Sequence, residues 1–281
     1  MKLYKIFVYT VLFLMVLSVL IPVLWVMLAS VKEDGDFYES PWRLPSRLDL
    51  ANFAEAWEAG GMGDYFLSSV LVTSAALIIL LAAAIPASYV LSRHRFLGRN
   101  LLNSYFKAGL FVNLSYIAVP IFLMLSDTDK ILGGGLLLNN RLVLALVYAS
   151  CAIPFTVYLL SGYFSALPRD FEEAAYVDGC SRWRTLWNIM VPLARPGIIT
   201  VILFNFLAFW NEYIIAITLM TENSVKTLPV GLMNLMKAQN AAAQYGRMYA
   251  GLVIVMLPTL ILYIALQKKI TKGMTEGGSK G

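Results

Sequence analysis

The chain has 281 residues, 59% of them hydrophobic and only 14% charged, with a net charge of +5. A soluble globular domain is about 45–50% apolar and about 25% charged, so this sequence has too little polar surface for a water-soluble globule. Its mean hydropathy of +0.70 points to a polytopic membrane protein.

In chain order, six stretches are nearly free of charge: 6–29, 66–91, 108–125, 142–164, 197–220 and 248–266. Crossing a hydrocarbon core of about 30 Å takes roughly 20 helical residues. All six qualify by length, 108–125 the most weakly. The runs are continuously apolar and far longer than the ~10 alternating residues of a barrel strand. The predicted fold class is therefore all-α, a single transmembrane domain over 1–281 with six spanning helices. Lys2 and Lys5 precede the first run as they would in a signal peptide. At 24 residues the run exceeds the usual apolar region of about 7–15, and it reads as an uncleaved first span. Pro22, Pro86, Pro120, Pro154 and Pro258 fall inside the runs and read as kinks, which membrane helices tolerate because neighbours re-satisfy the freed carbonyls.

Lysine and arginine set the orientation. Six crossings place the N-terminus, 92–107, 165–196 and the tail 267–281 on one side, with a net charge of +9. The opposite side, 30–65, 126–141 and 221–247, carries −3. By the positive-inside rule both termini are cytoplasmic. The basic balance is thus membrane topology and not a nucleic-acid patch.

Several chemistries are excluded early. Cys151 and Cys180 form neither a disulfide framework nor a metal-ligand spacing. His94 is the single histidine, which disfavours a multi-histidine zinc site, and within Arg93-His94-Arg95 it reads as a solvated loop residue. Gly133-Gly134-Gly135 signals a turn and lacks the spacing of a phosphate loop. With no Walker motif in the chain, any ATP and magnesium would be held by another subunit.

The longest inward-facing connection, 165–196, is the most informative segment. Asp170 and Glu173 have the spacing of a capping box, and acidic residues suit that end of a helix. Gly179 can end the helix in the left-handed conformation. Ser181 can then cap a second helix running to a break at Pro192. Phe171, Ala174 and Ala175 share one face of the first helix, and Trp183, Leu186 and Trp187 provide apolar area on the second. These groups fit a docking site for a cytoplasmic partner, or a connector lying on lipid. Glu172 reads as solvated, and Arg182 and Arg184 as positive-inside residues.

Glu173-Ala174-Ala175, then Asp178-Gly179, Trp183 and Ile189-Met190-Val191-Pro192 resemble the EAA loop of permease subunits in binding-protein-dependent ABC importers. Trp210-Asn211-Glu212-Tyr213 is similar to an element of the carbohydrate-type permeases. The tail from Gly273 through Gly277, Gly278 and Lys280 to Gly281 resembles the ending of the maltose-type second permease, with Met274 and Ser279 departing from its usual residues. Leu228-Pro229-Val230-Gly231-Leu232 is also family-like. The resemblance implies a permease-like fold of the type I importer kind. It implies a heterodimer with a homologous second permease, two partner ATPase subunits and an extracytoplasmic sugar-binding protein. It places Glu173, Ala174, Ala175, Asp178, Gly179, Trp183, Ile189 and Pro192 at the ATPase. The tail would run along the ATPase interface, and 221–247 would meet the binding protein. The chain itself would be no enzyme and would hold no cofactor.

Glu212 is the only formal charge within any predicted span, and an intramembrane carboxylate is by default a functional candidate. It fits a structural polar contact at the subunit interface, through Asn205 or Asn211, or a place on the substrate pathway. Trp210, Asn211 and Tyr213, with Phe206 and Phe209, could line that pathway or serve packing. Asn113 and Tyr116 are weaker candidates. The expected activity is ATP-driven uptake of a carbohydrate, an oligosaccharide first. A sugar phosphate or polyol is the alternative cargo. A channel or secondary transporter would instead require paired intramembrane charges or inverted repeats.

Overall fold

The computed structural model describes residues 2–112 and 114–278, and among them there is no strand. In chain order the helices are α1 (Lys2–Ala29), α2 (Asp34–Glu39), α3 (Ala51–Ala59), α4 (Met62–Arg93), α5 (Arg99–Gly109), α6 (Leu114–Ile131) and α7 (Arg141–Ala166). There follow α8 (Asp170–Val177), α9 (Arg182–Thr185), a wide π-turn (Leu186–Met190), α10 (Val191–Leu193), α11 (Arg195–Trp210), α12 (Ile214–Leu219), α13 (Leu228–Ala241) and α14 (Tyr245–Gly278). The all-α class holds.

Four helical segments are long and apolar enough to cross a membrane: Tyr4–Ala29, Met62–Arg93, Arg141–Ala166 and Tyr245–Ala265. A fifth arises if Arg182–Leu193 and Arg195–Trp210, bent by 76°, count as one broken span. The sequence predicts six, and the difference lies in the third. Instead of one helix over 108–125, α5 ends at Gly109 and α6 starts at Leu114. Gly109 lies so close to Pro154 of α7 that a Cβ there would clash. The resumed helix runs on to Ile131 and takes in Asp127, Asp129 and Lys130, so its apolar stretch is shorter than the hydropathy run suggests. The fifth predicted span, 197–220, is likewise not continuous, because the helix stops at Trp210 and restarts at Ile214.

The chain divides into two units. One takes residues 1–65 and 228–258, and the other 66–227 and 259–281. In the first, Asn52 is buried and its amide donates to the carbonyls of Ser30 and Lys32 at 3.2 and 2.9 Å, tying the end of α1 to α3. Gly246 and Gly231 have no room for a side chain, the former against Asn52 and the latter against the Tyr65 ring. Trp25 packs edge-on against Tyr249, which stacks on Phe37. Asp36 accepts from the Ser46 amide and hydroxyl at 3.0 and 2.9 Å. Those bonds hold its carboxyl below the ordinary carboxylate range.

The second unit is organised around α7. Asn140 caps its start by accepting from the amides of Leu142 and Val143, a satisfied N-cap. Leu144, Tyr148, Leu160 and Phe164 are fully buried. Gly197 lets α11 close directly onto the Tyr163 ring. Asn205 of α11 donates to the Thr156 hydroxyl of α7 at 3.1 Å in the interior. Small residues at the crossing and one polar tie are what helices need to associate in lipid, where apolar contact alone gives no preference for protein over acyl chains.

Candidate functional site

The 165–196 connection folds as two short helices, and its cap chemistry differs from expectation at the start. The first helix has Arg169 at the N-cap with no side-chain bond, and the Glu173 amide donates to the Arg169 carbonyl at 3.1 Å. The capping box between Asp170 and Glu173 is not formed, because Asp170 is already inside the helix. The helix end is as predicted. Gly179 sits at φ +74°, its amide donates to the Tyr176 carbonyl, and Cys180 N donates to Ala175 O at 2.8 Å. That is a Schellman closure. Ser181 accepts from Arg184 N and starts α9.

Pro192 does not break the second helix. The π-turn before it has Val191 N donating to Leu186 O, and this one-residue shift of register absorbs the missing proline donor. The chain turns at Ala194 instead, between segments bent by 76°.

Glu172 and Glu173 are adjacent but face opposite environments. Glu173 is exposed, whereas Glu172 accepts from Arg93 Nε at 2.7 Å and from the Tyr89 hydroxyl at 2.7 Å. The paired side chains of Arg93 and Glu172 are only 5% and 12% exposed. Glu172 is therefore not solvated, and Arg93 is not a free loop cation. Both residues escaped the sequence reading, although Tyr89 and Arg93, four apart at the end of one helix, project from the same face.

The same division runs through the rest of the loop. Ala175 faces the protein, while Phe171, Ala174 and Asp178 face outward. Leu186 is core at 2% exposure, but Trp183 is 63% exposed and meets Trp187 edge-on at 5.7 Å. Trp183 also walls a recess of about 370 Å³ shared with Tyr89, His94, Arg182 and Leu186. Ile189 is half-buried and Pro192 exposed. The loop thus has a satisfied inner face and an outer face carrying an acid, aromatic rings and small residues.

The second candidate region lies at the break between α11 and α12. Glu212 accepts from the amides of Ile215 and Ala216 at 2.8 and 3.0 Å and from the Tyr148 hydroxyl at 2.7 Å. It caps the restarted helix, the favoured place for a carboxylate. Neither asparagine pairs with it, since Asn205 bonds Thr156 and Asn211 bonds the Leu207 carbonyl. Trp210 is 2% exposed, stacked on Phe206 and edge-on to Phe66, so its faces are covered by protein. Tyr213 is half-buried and Tyr116 is exposed. Gly273, Gly277 and Gly278 lie on the final helix α14. Asn113 and Lys280 lie outside the described residues.

The chain is all-helical among the described residues, with several helices long and apolar enough to cross a membrane and a folded loop tied to the end of one of them. The chain belongs to the family described as "Binding-protein-dependent transport system inner membrane component", which matches residues 79–275. It is 36% identical over 92% of its length, and 83% of the relative's, to the diacetylchitobiose uptake system permease protein NgcG of Streptomyces coelicolor. It is 28% identical to the melibiose/raffinose/stachyose import permease protein MelC of Bacillus subtilis, covering 93% of this chain and 91% of that one. Its fold is that of a chain in a bacterial ABC transporter involved in the import of the acidic polysaccharide alginate, with TM-score 0.79 and 23% identity over 95% and 96% of the two chains.

Proposed function

We propose that this chain is the permease of an ATP-driven importer for an oligosaccharide, with both termini in the cytoplasm of a multi-pass cytoplasmic-membrane protein. It pairs with a homologous second permease and forms half of the pathway. Two ATPase subunits bind ATP and magnesium, and this chain adds no ligand to them. A binding protein delivers sugar to the outer side, where 221–247 receives it. Family membership and sugar-importing relatives support the cargo class.

The observation that carries the coupling role is the two-faced loop. Its inner acid is neutralised by Arg93, while Glu173, Phe171, Ala174 and Trp183 remain available on the outer face beside a recess. An exposed acid beside aromatic rings and small residues fits a protein partner that offers a cation and approaches closely. Gly179 and Asp178 fix the angle between the two helices, and Ile189 and Pro192 extend the second. The tail glycines Gly273, Gly277 and Gly278, with Lys280, permit close passage along the ATPases. Alternating access then needs only that the ATPases contact the loop differently in two states.

The test is purification of this chain with its partner subunits, wild type against Glu173→Arg, followed by uptake of labelled oligosaccharides in proteoliposomes. Wild type should retain a second permease and two ATPases, and Glu173→Arg should lose the ATPases. Uptake should require ATP and the binding protein. A wild-type chain that purifies alone and moves solute without ATP would overturn the assignment. Uptake of glycerol phosphate in preference to oligosaccharides would overturn the cargo class.

A further inference from the structure

Arg93 is the last residue of α4, and its guanidinium donates to three acceptors on one side. Nε reaches Glu172 at 2.7 Å, Nη1 the Leu167 carbonyl at 2.9 Å, and Nη2 the Pro168 carbonyl at 3.0 Å. Leu167 is the C-cap of α7, so the arginine satisfies carbonyls that a helix end leaves without partners. Glu172 lies in the first turn of α8. One side chain therefore binds the end of one long helix, the end of a second, and the start of the loop helix. Tyr89, one turn earlier on α4, donates to the other oxygen of Glu172 at 2.7 Å. Its ring is pinned edge-on by Phe164 from the last turns of α7.

The guanidinium suits this task because its donors are held in one rigid plane. A lysine donates from a single nitrogen and lacks the planar fork that spreads the donors over these acceptors. The ion pair is almost wholly removed from water, where such contacts are geometrically specific. Glu173, one residue further, projects away from this cluster. A force applied at the outer face thus meets a loop anchored at its inner face. Had the loop been joined to the bundle by chain connections alone, a displacement at α8 could be absorbed in residues 167–169.

We propose that Arg93 is the positioning residue that makes α8 and the cytoplasmic end of α4 move as one body, so that ATPase motion reaches the membrane helices. The proposal rests on the reading of the loop as the ATPase docking site. Arg93 touches neither cargo nor nucleotide; it acts through Glu172 and the two carbonyls. Loss of the arginine leaves Glu173 and the aromatic residues in place for docking, but lets the loop slip relative to α4.

The experiment uses the complete importer reconstituted in liposomes with sugar-loaded binding protein. Wild type is compared with Arg93→Ala, Arg93→Lys, Glu172→Gln and Glu173→Arg. Three quantities are read: ATPase subunits retained on purification, ATP hydrolysis, and sugar transported per ATP hydrolysed. Arg93→Ala should retain its ATPases and continue hydrolysis, while sugar moved per ATP falls about tenfold, within the range of ordinary coupling energies. Arg93→Lys should fall between, because it keeps the charge but not the fork. Adding Glu172→Gln to Arg93→Ala should lower the ratio little further, as members of one network are not additive. An unchanged ratio in Arg93→Ala overturns the proposal. So does loss of the ATPases from it as complete as from Glu173→Arg, for then the arginine only builds the docking face. If Arg93→Ala fails to accumulate, Arg93→Lys decides by the same ratio. Failure of wild type to retain any ATPase would instead remove the docking reading beneath the proposal.

Discussion

Glu172 at the start of α8 and Glu212 before α12 each accept a tyrosine hydroxyl at 2.7 Å, and each lies where a helix begins. They differ in the second set of partners. Glu172 takes a guanidinium from another helix, so it joins separate elements through side chains. Glu212 takes two amides of the helix it precedes, so it closes the chain on itself. Glu172 has a neighbour, Glu173, that is exposed. No comparable free acid accompanies Glu212, which carries the only formal charge in its apolar run. A carboxylate at a helix start therefore has no single meaning. On the proposed reading of the loop, what marks it for docking is the polar group left over after the inner contacts are satisfied.

The largest expected effect belongs to the joining acid. Glu172→Ala leaves a buried arginine with two carbonyls and no counter-charge, which should destabilise the protein by about 3 kcal/mol. The thermal midpoint of the purified importer in detergent is the readout, and a shift like that of an exposed-acid control such as Glu173→Ala would erase the distinction. Glu212→Ala should come next at about 2 kcal/mol, since it strands two amides and a hydroxyl. Tyr148→Phe should lose only about 1 kcal/mol. On the Glu212→Ala background that second change should lose almost nothing, because its partner is already gone.

Hydropathy made the spans legible where one helix crosses without interruption, as in α1, α4, α7 and α14. It failed where tertiary contact interrupts an apolar run. α5 ends at Gly109, which lies against Pro154 of α7, and the Glu212 carboxylate accepts from the amides at the start of α12. Neither event changes the local count of apolar residues. The loop's Gly179 closure and Ser181 cap were readable because both are local chemistry. The Arg93–Glu172 tie was not, because it joins residues 79 positions apart and each taken alone resembles an ordinary surface charge. Trp210 shows the same limit, for a ring that suits sugar stacking also suits the Phe66 and Phe206 faces that cover it.

Gly179 tests whether the outer face depends on the angle set by the helix end. It occupies the left-handed region at φ +74°, yet a Cβ would meet open space. Gly179→Ala should therefore carry only the backbone penalty of about 1 kcal/mol. If the angle positions Glu173 against its partner, ATPase retention should fall while the fold survives. Full retention with a lowered thermal midpoint would confine the glycine to local stability and leave the exposed acid independent of it.

A pH-dependent version of the comparison uses a third carboxylate, in a segment predicted to lie outside the spans. Asp129 accepts from the amides of Gly135, Leu136 and Leu137, each at 2.8 Å, and so gathers the glycine turn about itself. Those amides favour its charged form and hold its carboxyl below the ordinary carboxylate range. A depressed value in the folded state means that the contribution to stability is fully present above the unfolded value of about 3.9. It is lost as pH falls through the lower folded value, because the unfolded chain takes up its proton first. The difference in thermal midpoint between wild type and Asp129→Ala should accordingly be flat from neutral pH down to about 4 and shrink below it. A difference for Asp129 that already declines near neutral pH would mean its amide bonds do not stabilise the charged form. The carboxylate would then be a solvated surface group rather than the acceptor that holds the glycine turn.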